Sequence, residues 1–224
     1  GNFIIEAIKK GFAPENVYGF DVDENAVLIT KKRIKDLCGY ESDNIVCADF
    51  LSCQPSAIRH QFSDSQILRF DYIFTNPPWG KKLNKKDKNR YSELYNSGNS
   101  SDTSSLFYFA SLQKLKENGK IGFLLPDSFF NITTFEDARK SLLNLNIERL
   151  IDYGKPFKGL MTKAMAFIAV SRQPSAFSKD VSCEIYDVKK HLRSQRSFFD
   201  IPKHILNFHI EEKESEIIRH VFSL

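Results

Sequence analysis

Apolar and polar positions along the chain follow two alternating patterns. One is helical spacing. In 2–10 (NFIIEAIKK) apolar residues stand at 3, 4, 5, 7 and 8, which predicts an amphipathic helix ending at Gly11. In 24–37 the series Ala26, Val27, Ile29, Ile34 and Leu37 predicts a second. Further helices are expected over 104–115, 136–145 and 214–222. The other pattern is the short unbroken apolar run: 17–21 (VYGFD), 44–48 (NIVCA), 70–75 (FDYIFT), 120–125 (KIGFLL), 148–152, 164–170 (AMAFIAV) and 183–188. Such runs suit strands covered on both faces. Their alternation with helices predicts an α/β fold built on a mainly parallel sheet with helices on both faces. Strands 148–152 and 164–170 follow one another with no helix between, so the last is expected to pair antiparallel. Residues 80–105, basic and then rich in Ser and Asn (NSGNSSDTSS), read as one long loop, too long for a plain connection.

Composition narrows the class. Of the 224 residues 42% are hydrophobic and 27% charged, which excludes a disordered chain. The formal net charge is +4, which permits a nucleic-acid partner without demanding one. The cysteines, Cys38, Cys47, Cys53 and Cys183, form no CxxC pair, and the five histidines form no HExxH. No metal site is therefore expected. Scattered thiols suit a reducing cytoplasm, and all four are read as core residues. His204 and His209 carry no expected role. No apolar run is long enough to span a bilayer, and no signal peptide is visible.

The candidate chemistry lies at the carboxyl ends of the predicted strands, where open α/β sheets bind ligands. Asp21 and Asp23 follow the first, Asp49-Phe50 the second and Asn76-Pro77-Pro78-Trp79 the third, so all are expected on one rim. An acid in the place of Asp21 can accept from two ribose hydroxyls. Asp23 is expected to cap the following helix. Asp49 can accept from an exocyclic ring amine, with Phe50 packing on the ring. Pro77 and Pro78 carry no N–H, so the turn presents acceptors only. Asn76 precedes proline and is pushed toward an extended backbone. Its side-chain carbonyl and a neighbouring backbone carbonyl can grip one amino group beside the flat face of Trp79. Two acceptors favour a pyramidal nitrogen with a localised lone pair, which can attack a methyl group in line.

These residues carry a resemblance. Gly1-Asn2-Phe3, Gly19-Phe20-Asp21-Val22-Asp23, Ala48-Asp49-Phe50, Asn76-Pro77-Pro78-Trp79, 123–130 (FLLPDSFF) and Phe157 with Ala164-Met165-Ala166 together resemble the class I, S-adenosylmethionine-dependent adenine-N6 DNA methyltransferases of restriction–modification systems. The resemblance spans roughly residues 1–172. It implies a Rossmann-like sheet and S-adenosyl-L-methionine as cofactor. It implies that Gly1 ends the glycine-rich cofactor loop, Asp21 binds the ribose, Val22 lies against the adenine, Asp49 reads the amine and Phe50 sits beside the ring. Asn76 and the Pro77 carbonyl would hold the target N6, with Trp79 and Phe157 stacking on the two faces of an adenine flipped from double-stranded DNA. The family's first strand and most of its glycine loop would precede residue 1, and a target-recognition domain would follow residue 224. The chain is thus expected to be a fragment, with a gap between the Asp21 strand and the Asn76 strand. A methyltransferase domain over 1–172 and an extension over 173–224 are expected.

The basic segment fits the same partner. Lys81, Lys82, Lys85, Lys86, Lys88 and Arg90 stand against the single acid Asp87, beginning two residues after Trp79, where they could meet phosphates. A restriction or specificity subunit, or a fused domain, is a further expected partner. Two other functions share these residues. One is methyl transfer to an RNA base or a protein glutamine amine; the other is an inactive fragment that only binds DNA.

Overall fold

The computed structural model describes residues 1–52, 69–156, 159, 162–171 and 180–222. The chain divides into two compact units, Gly1–Leu68 and Arg69–Leu224.

The first unit runs α1 (Asn2–Lys9), a 3-10 turn (Pro14–Asn16), β1 (Gly19–Asp21), α2 (Glu24–Cys38) and β2 (Ile45–Cys47). β1 and β2 pair in parallel, Gly19 opposite Ile45 and Asp21 opposite Cys47. Asp23 caps α2 as expected, its carboxylate accepting the Asn25 N–H at 2.9 Å. Ile5, Val27, Ile34 and Ile45 form the core, with Ile4, Ile8 and Tyr40 packed against it. Two residues expected to face inward do not: Ile29 is 60% exposed and Leu37 42%. The buried row of α2 is Val27, Thr30 and Ile34. Ile29 lies two residues, about 200° of helix, from Val27 and so points away. Thr30 is buried without leaving its hydroxyl unsatisfied, because it donates to the Ala26 carbonyl at 2.7 Å. Cys38 and Cys47 are exposed rather than core; Cys183 is buried, and Cys53 lies outside the described residues.

The second unit contains β3 (Phe70–Thr75), α3 (Lys85–Tyr95), α4 (Thr103–Lys114), β4 (Leu115–Pro126), α5 (Ser128–Asn131), α6 (Glu136–Leu143), β5 (Asn146–Asp152), β6 (Ala164–Val170), β7 (Asp180–Ile185), β8 (Lys189–Ser194), α7 (Arg196–Phe199) and α8 (Glu212–Phe222). Its sheet has the order β3-β4-β6-β5-β7-β8. β5 and β6 pair antiparallel, as expected, and β6 inserts between β4 and β5. β3, β4, β5 and β7 therefore run one way and β6 and β8 the other. The carboxyl ends of the four codirectional strands form one rim. Among the described residues β1 pairs only with β2, and β3 only with β4, so the Asp21 and Asn76 strands lie in separate sheets.

Phenylalanines fill this unit's core. Phe123 of β4 and Phe167 of β6, opposite one another in the ladder, stack at 5.6 Å and 4°. Tyr108 of α4 sets its ring edge-on to both and to Phe129. Its hydroxyl meets Ser141 Oγ at 3.3 Å, and burial pushes its pKa upward. Two arginines are fully buried. Arg139 donates to the carbonyls of Phe129, Ile132, Lys203 and His204. Burial lowers its pKa to about 10. Arg193 lies over the Phe198 ring and binds Glu212, Ser197, Ser215 and the carbonyls of Asn207 and Ile210. These two side chains fasten the segment after β8 to α6 and to β8. Gln195 adds to them, accepting from the Ile147 N–H and donating to the carbonyls of Leu143 and Leu145.

The expected loop at 80–105 contains α3. Asn84 and Asp87 close a reciprocal cap at 2.8 and 2.7 Å. Tyr91 and Tyr95, four residues apart, are buried and stacked where α3 packs on α4. β4 begins at Leu115, before its apolar run, with an irregularity between Leu115 and Lys120. β8, which has no counterpart in the expected elements, pairs with β7 across a three-residue turn. No helix among the described residues is long and apolar enough to cross a membrane.

Candidate active site

The first unit carries the acidic pair. Asp21 ends β1, and the Ala48 N–H donates to its carbonyl at 2.8 Å, so Asp49 follows on the neighbouring parallel strand. Each carboxylate is oriented by the chain just beyond it. Asp21 Oδ1 accepts the Asp23 N–H at 3.0 Å, and Asp49 Oδ1 accepts the Leu51 N–H at 3.0 Å. Asp21 and Val22 are exposed. Phe50 packs its ring against Phe20 at 5.7 Å. Gly1 caps α1, where an added Cβ would run into the Thr30 side chain. Only glycine lets α1 begin this close to α2. Two carboxylates beside an exposed apolar residue and an aromatic ring fit the ribose and purine of S-adenosylmethionine.

The second unit carries the acceptor turn. Asn76-Pro77-Pro78-Trp79 leaves the carboxyl end of β3, with Asn76 and Pro78 exposed, Pro77 buried and Trp79 half-buried. The Trp79 indole Nε1–H donates to the Leu124 carbonyl of β4 at 3.3 Å. This bond holds the ring by its edge. Gly80, at φ 65°, then turns the chain through the left-handed region. Lys81 and Lys82 are exposed beyond it, and the Thr103 hydroxyl at the start of α4 donates to the Lys81 carbonyl. Lys85 opens α3, whose outward face bears Lys85, Lys86, Asn89 and Arg90. Lys85, Lys86, Lys88 and Arg90 are thus presented by a helix, whereas Lys81 and Lys82 stand on the segment that precedes it. Phe157 lies outside the described residues.

A further cluster on this rim carries no signal in the sequence. Asp152 ends β5 and is only 3% exposed. Its Oδ1 accepts the Gly154 N–H at 2.7 Å, and its Oδ2 meets His209 Nε2 at 2.7 Å and Lys163 Nζ at 3.5 Å. Burial alone would raise its pKa. The His209 hydrogen bond, the Gly154 N–H and the Lys163 ammonium outweigh burial and hold it below the ordinary carboxylate value. One carboxylate thereby ties both ends of the β5–β6 connection to the segment carrying His209, which had no expected role.

Comparison with known proteins gives the family and the fold. Residues 15–158 match the family model described as Eco57I restriction-modification methylase. The chain is 46% identical over all 224 residues to the type II methyltransferase M.VspI of Vibrio sp. (strain 343), and spans 52% of that protein. Among solved structures it resembles the methyltransferase subunit of a type I restriction-modification system from Streptococcus thermophilus. The TM-score is 0.66 at 17% identity, covering 93% of this chain and 51% of that one. It also resembles a Listeria monocytogenes protein described as a class I S-adenosylmethionine-dependent methyltransferase. There the TM-score is 0.58 at 18% identity, covering 92% and 59%. The chain thus spans about half the length of the curated relative it matches, and its fold is that of the class I methyltransferases.

Proposed function

The chain belongs to the Eco57I restriction-modification methylase family, and on that premise we propose that it forms the catalytic part of an adenine-N6 DNA methyltransferase. The observation that carries this reading is the acceptor turn Asn76-Pro77-Pro78-Trp79 at the carboxyl end of β3, with its indole anchored on Leu124. The Asn76 side-chain carbonyl and the Pro77 carbonyl accept from the two N6 hydrogens of an adenine flipped out of double-stranded DNA. This draws the nitrogen lone pair out of the ring and toward the methyl group. Trp79 stacks on one face of the base, and Phe157 is proposed for the other. Asp21 holds the ribose hydroxyls and Asp49 the adenine amine of S-adenosylmethionine, beside Val22, Phe50 and Gly1. The cofactor, when bound, supplies an electrophilic methyl group. Lys81, Lys82 and Lys85 meet phosphates flanking the flipped base. A restriction or specificity subunit, or a domain fused to the chain, completes site recognition.

The test is labelled methyl transfer by the full-length protein, with unmethylated DNA, RNA and protein offered in parallel. Label is expected in DNA as N6-methyladenine. Asn76→Ala is expected to lose at least about a hundredfold in kcat, with cofactor affinity unchanged, because the carbonyl acts on the transition state. Asp21→Ala is expected instead to weaken cofactor binding at least about tenfold, as loss of a charge-assisted hydrogen bond does. Label in RNA or protein would overturn the substrate while keeping the turn's chemistry. Equal losses of kcat and cofactor affinity in Asn76→Ala would overturn its role.

A further inference from the structure

Tyr153 and Tyr186 are neighbours on the rim that carries Asn76, though 33 positions separate them in sequence. Tyr153 follows β5 and Tyr186 follows β7, its parallel partner; the Tyr186 N–H donates to the Asp152 carbonyl at 2.9 Å. The two rings stand 6.2 Å apart at 42°. They are 38% and 62% exposed, and neither hydroxyl makes a hydrogen bond among the described residues. A pair of adjacent tyrosines facing water gives up apolar area that a merely structural pair would cover.

Their surroundings are cationic. Lys155 and Lys163 stand on the β5–β6 connection, and Lys189 and Lys190 follow the turn that bears Tyr186. All four are exposed. Lys163 leans on buried Asp152 at 3.5 Å and Lys190 on Glu184 at 3.2 Å, while Lys155 and Lys189 make no ion pair among the described residues. The exposed acid among them is Asp187, at the tip of the turn. Rings with unused hydroxyl donors, set among ammonium groups, match a sugar-phosphate backbone: hydroxyl and ammonium to phosphate, ring to deoxyribose. An apolar protein surface would leave Lys155 and Lys189 without partners.

Position selects the same occupant. In the sheet order β3-β4-β6-β5-β7, β5 is three strand positions from β3 and β7 is four. At about 4.8 Å per position, the tyrosines lie about 14 to 19 Å along the rim from the Asn76 turn. With 3.4 Å per base step along one strand, that is about four to six steps. We propose that Tyr153 and Tyr186, with Lys155 and Lys189, form a second contact on duplex DNA, gripping the backbone of the flank about four to six base steps from the flipped adenine. This rests on the DNA reading above and adds a named surface outside the acceptor turn.

The experiment uses the full-length protein, with Tyr153→Ala/Tyr186→Ala and Tyr153→Phe/Tyr186→Phe double variants. It reads kcat and KM on unmethylated plasmid, the Kd for a 40-base-pair duplex by fluorescence anisotropy, and cofactor affinity. The alanine pair is expected to raise KM and duplex Kd about tenfold, with cofactor affinity unchanged and kcat within twofold. The phenylalanine pair is expected to show a smaller rise, from the lost hydroxyls alone. Unchanged duplex Kd and KM would overturn the proposal, as would a fall in kcat at constant KM. Should the wild-type protein methylate no DNA, the reading above fails separately, and an unchanged duplex Kd in the variants still overturns this surface. Should the alanine pair not fold, Tyr186→Ala alone, on an exposed turn, and the phenylalanine pair decide in the same way.

Discussion

Trp79 shows how one side chain is fixed in place. The stacking proposed for its ring needs a defined plane, and the indole supplies its own anchor through Nε1–H to the Leu124 carbonyl. Trp79→Phe keeps a face and loses the anchor. The net worth of one hydrogen bond predicts a loss of about two- to tenfold in methyl-transfer efficiency. Trp79→Ala removes the face itself and is expected to cost about 5- to 150-fold, the range for base stacking. Labelled transfer under matched conditions separates them, and equal losses would show that the ring does not stack. Asp152 acts by charge. Its pKa is held below the ordinary carboxylate value, so its stabilisation is present above about pH 3.9 and is lost as pH falls through the folded-state value. The melting-temperature gap between wild type and Asp152→Asn is therefore expected to be wide at pH 6 and to shrink toward pH 3. A gap that widens in acid would show the carboxylate to be unpaired.

At the scale of elements, α3 depends on a few groups. Its buried anchors are Tyr91 and Tyr95, and its start is the Asn84–Asp87 cap. Asn84→Ala is expected to destabilise by about 1 kcal/mol, a fall of about 2–4 °C in Tm, read by thermal melting. No change would mean that the tyrosine contacts alone set the helix. The same helix explains why part of the fold was hidden in the sequence. Most strands were legible because burial on both faces writes them as apolar runs, as in 120–125 and 164–170. α3 has two apolar anchors in a charged stretch, which periodicity does not resolve. β8 (KKHLRS) is the outermost strand and mostly polar, so it carries no run at all. The acceptor turn was legible because its chemistry lies in four consecutive residues. The Asp152–His209 pair was not, because 57 positions separate its members and only the fold joins them.

On the scale of the whole molecule, the two units are built to different depths. Among the described residues the first has three-residue strands and a buried cluster of Ile5, Val27, Ile34 and Ile45. The second has a six-stranded sheet whose central strands β4 and β6 pair over seven positions and carry the stacked rings of Phe123 and Phe167, with Tyr108 edge-on to both. Its later segments are fastened by Arg139 and Arg193, each spread over several carbonyls and hydroxyls. Local opening is governed by the apolar area and the hydrogen bonds that a segment gives up. A ladder of three pairs covered by a few aliphatic side chains of α1 and α2 surrenders far less than a seven-pair ladder with aromatic cover. Amide hydrogen exchange is therefore expected to be slowest at 121–125 and 165–169 and to run well ahead at 19–21 and 45–47. Saturating S-adenosylmethionine is expected to slow the second group selectively, because Asp21 ends β1 and Asp49 lies two residues beyond β2. Protection at 19–21 equal to that at 165–169 without cofactor would show that β1 draws stability from more than its pairing with β2. Slowing confined to β4 and β6 would move cofactor binding away from the two acids.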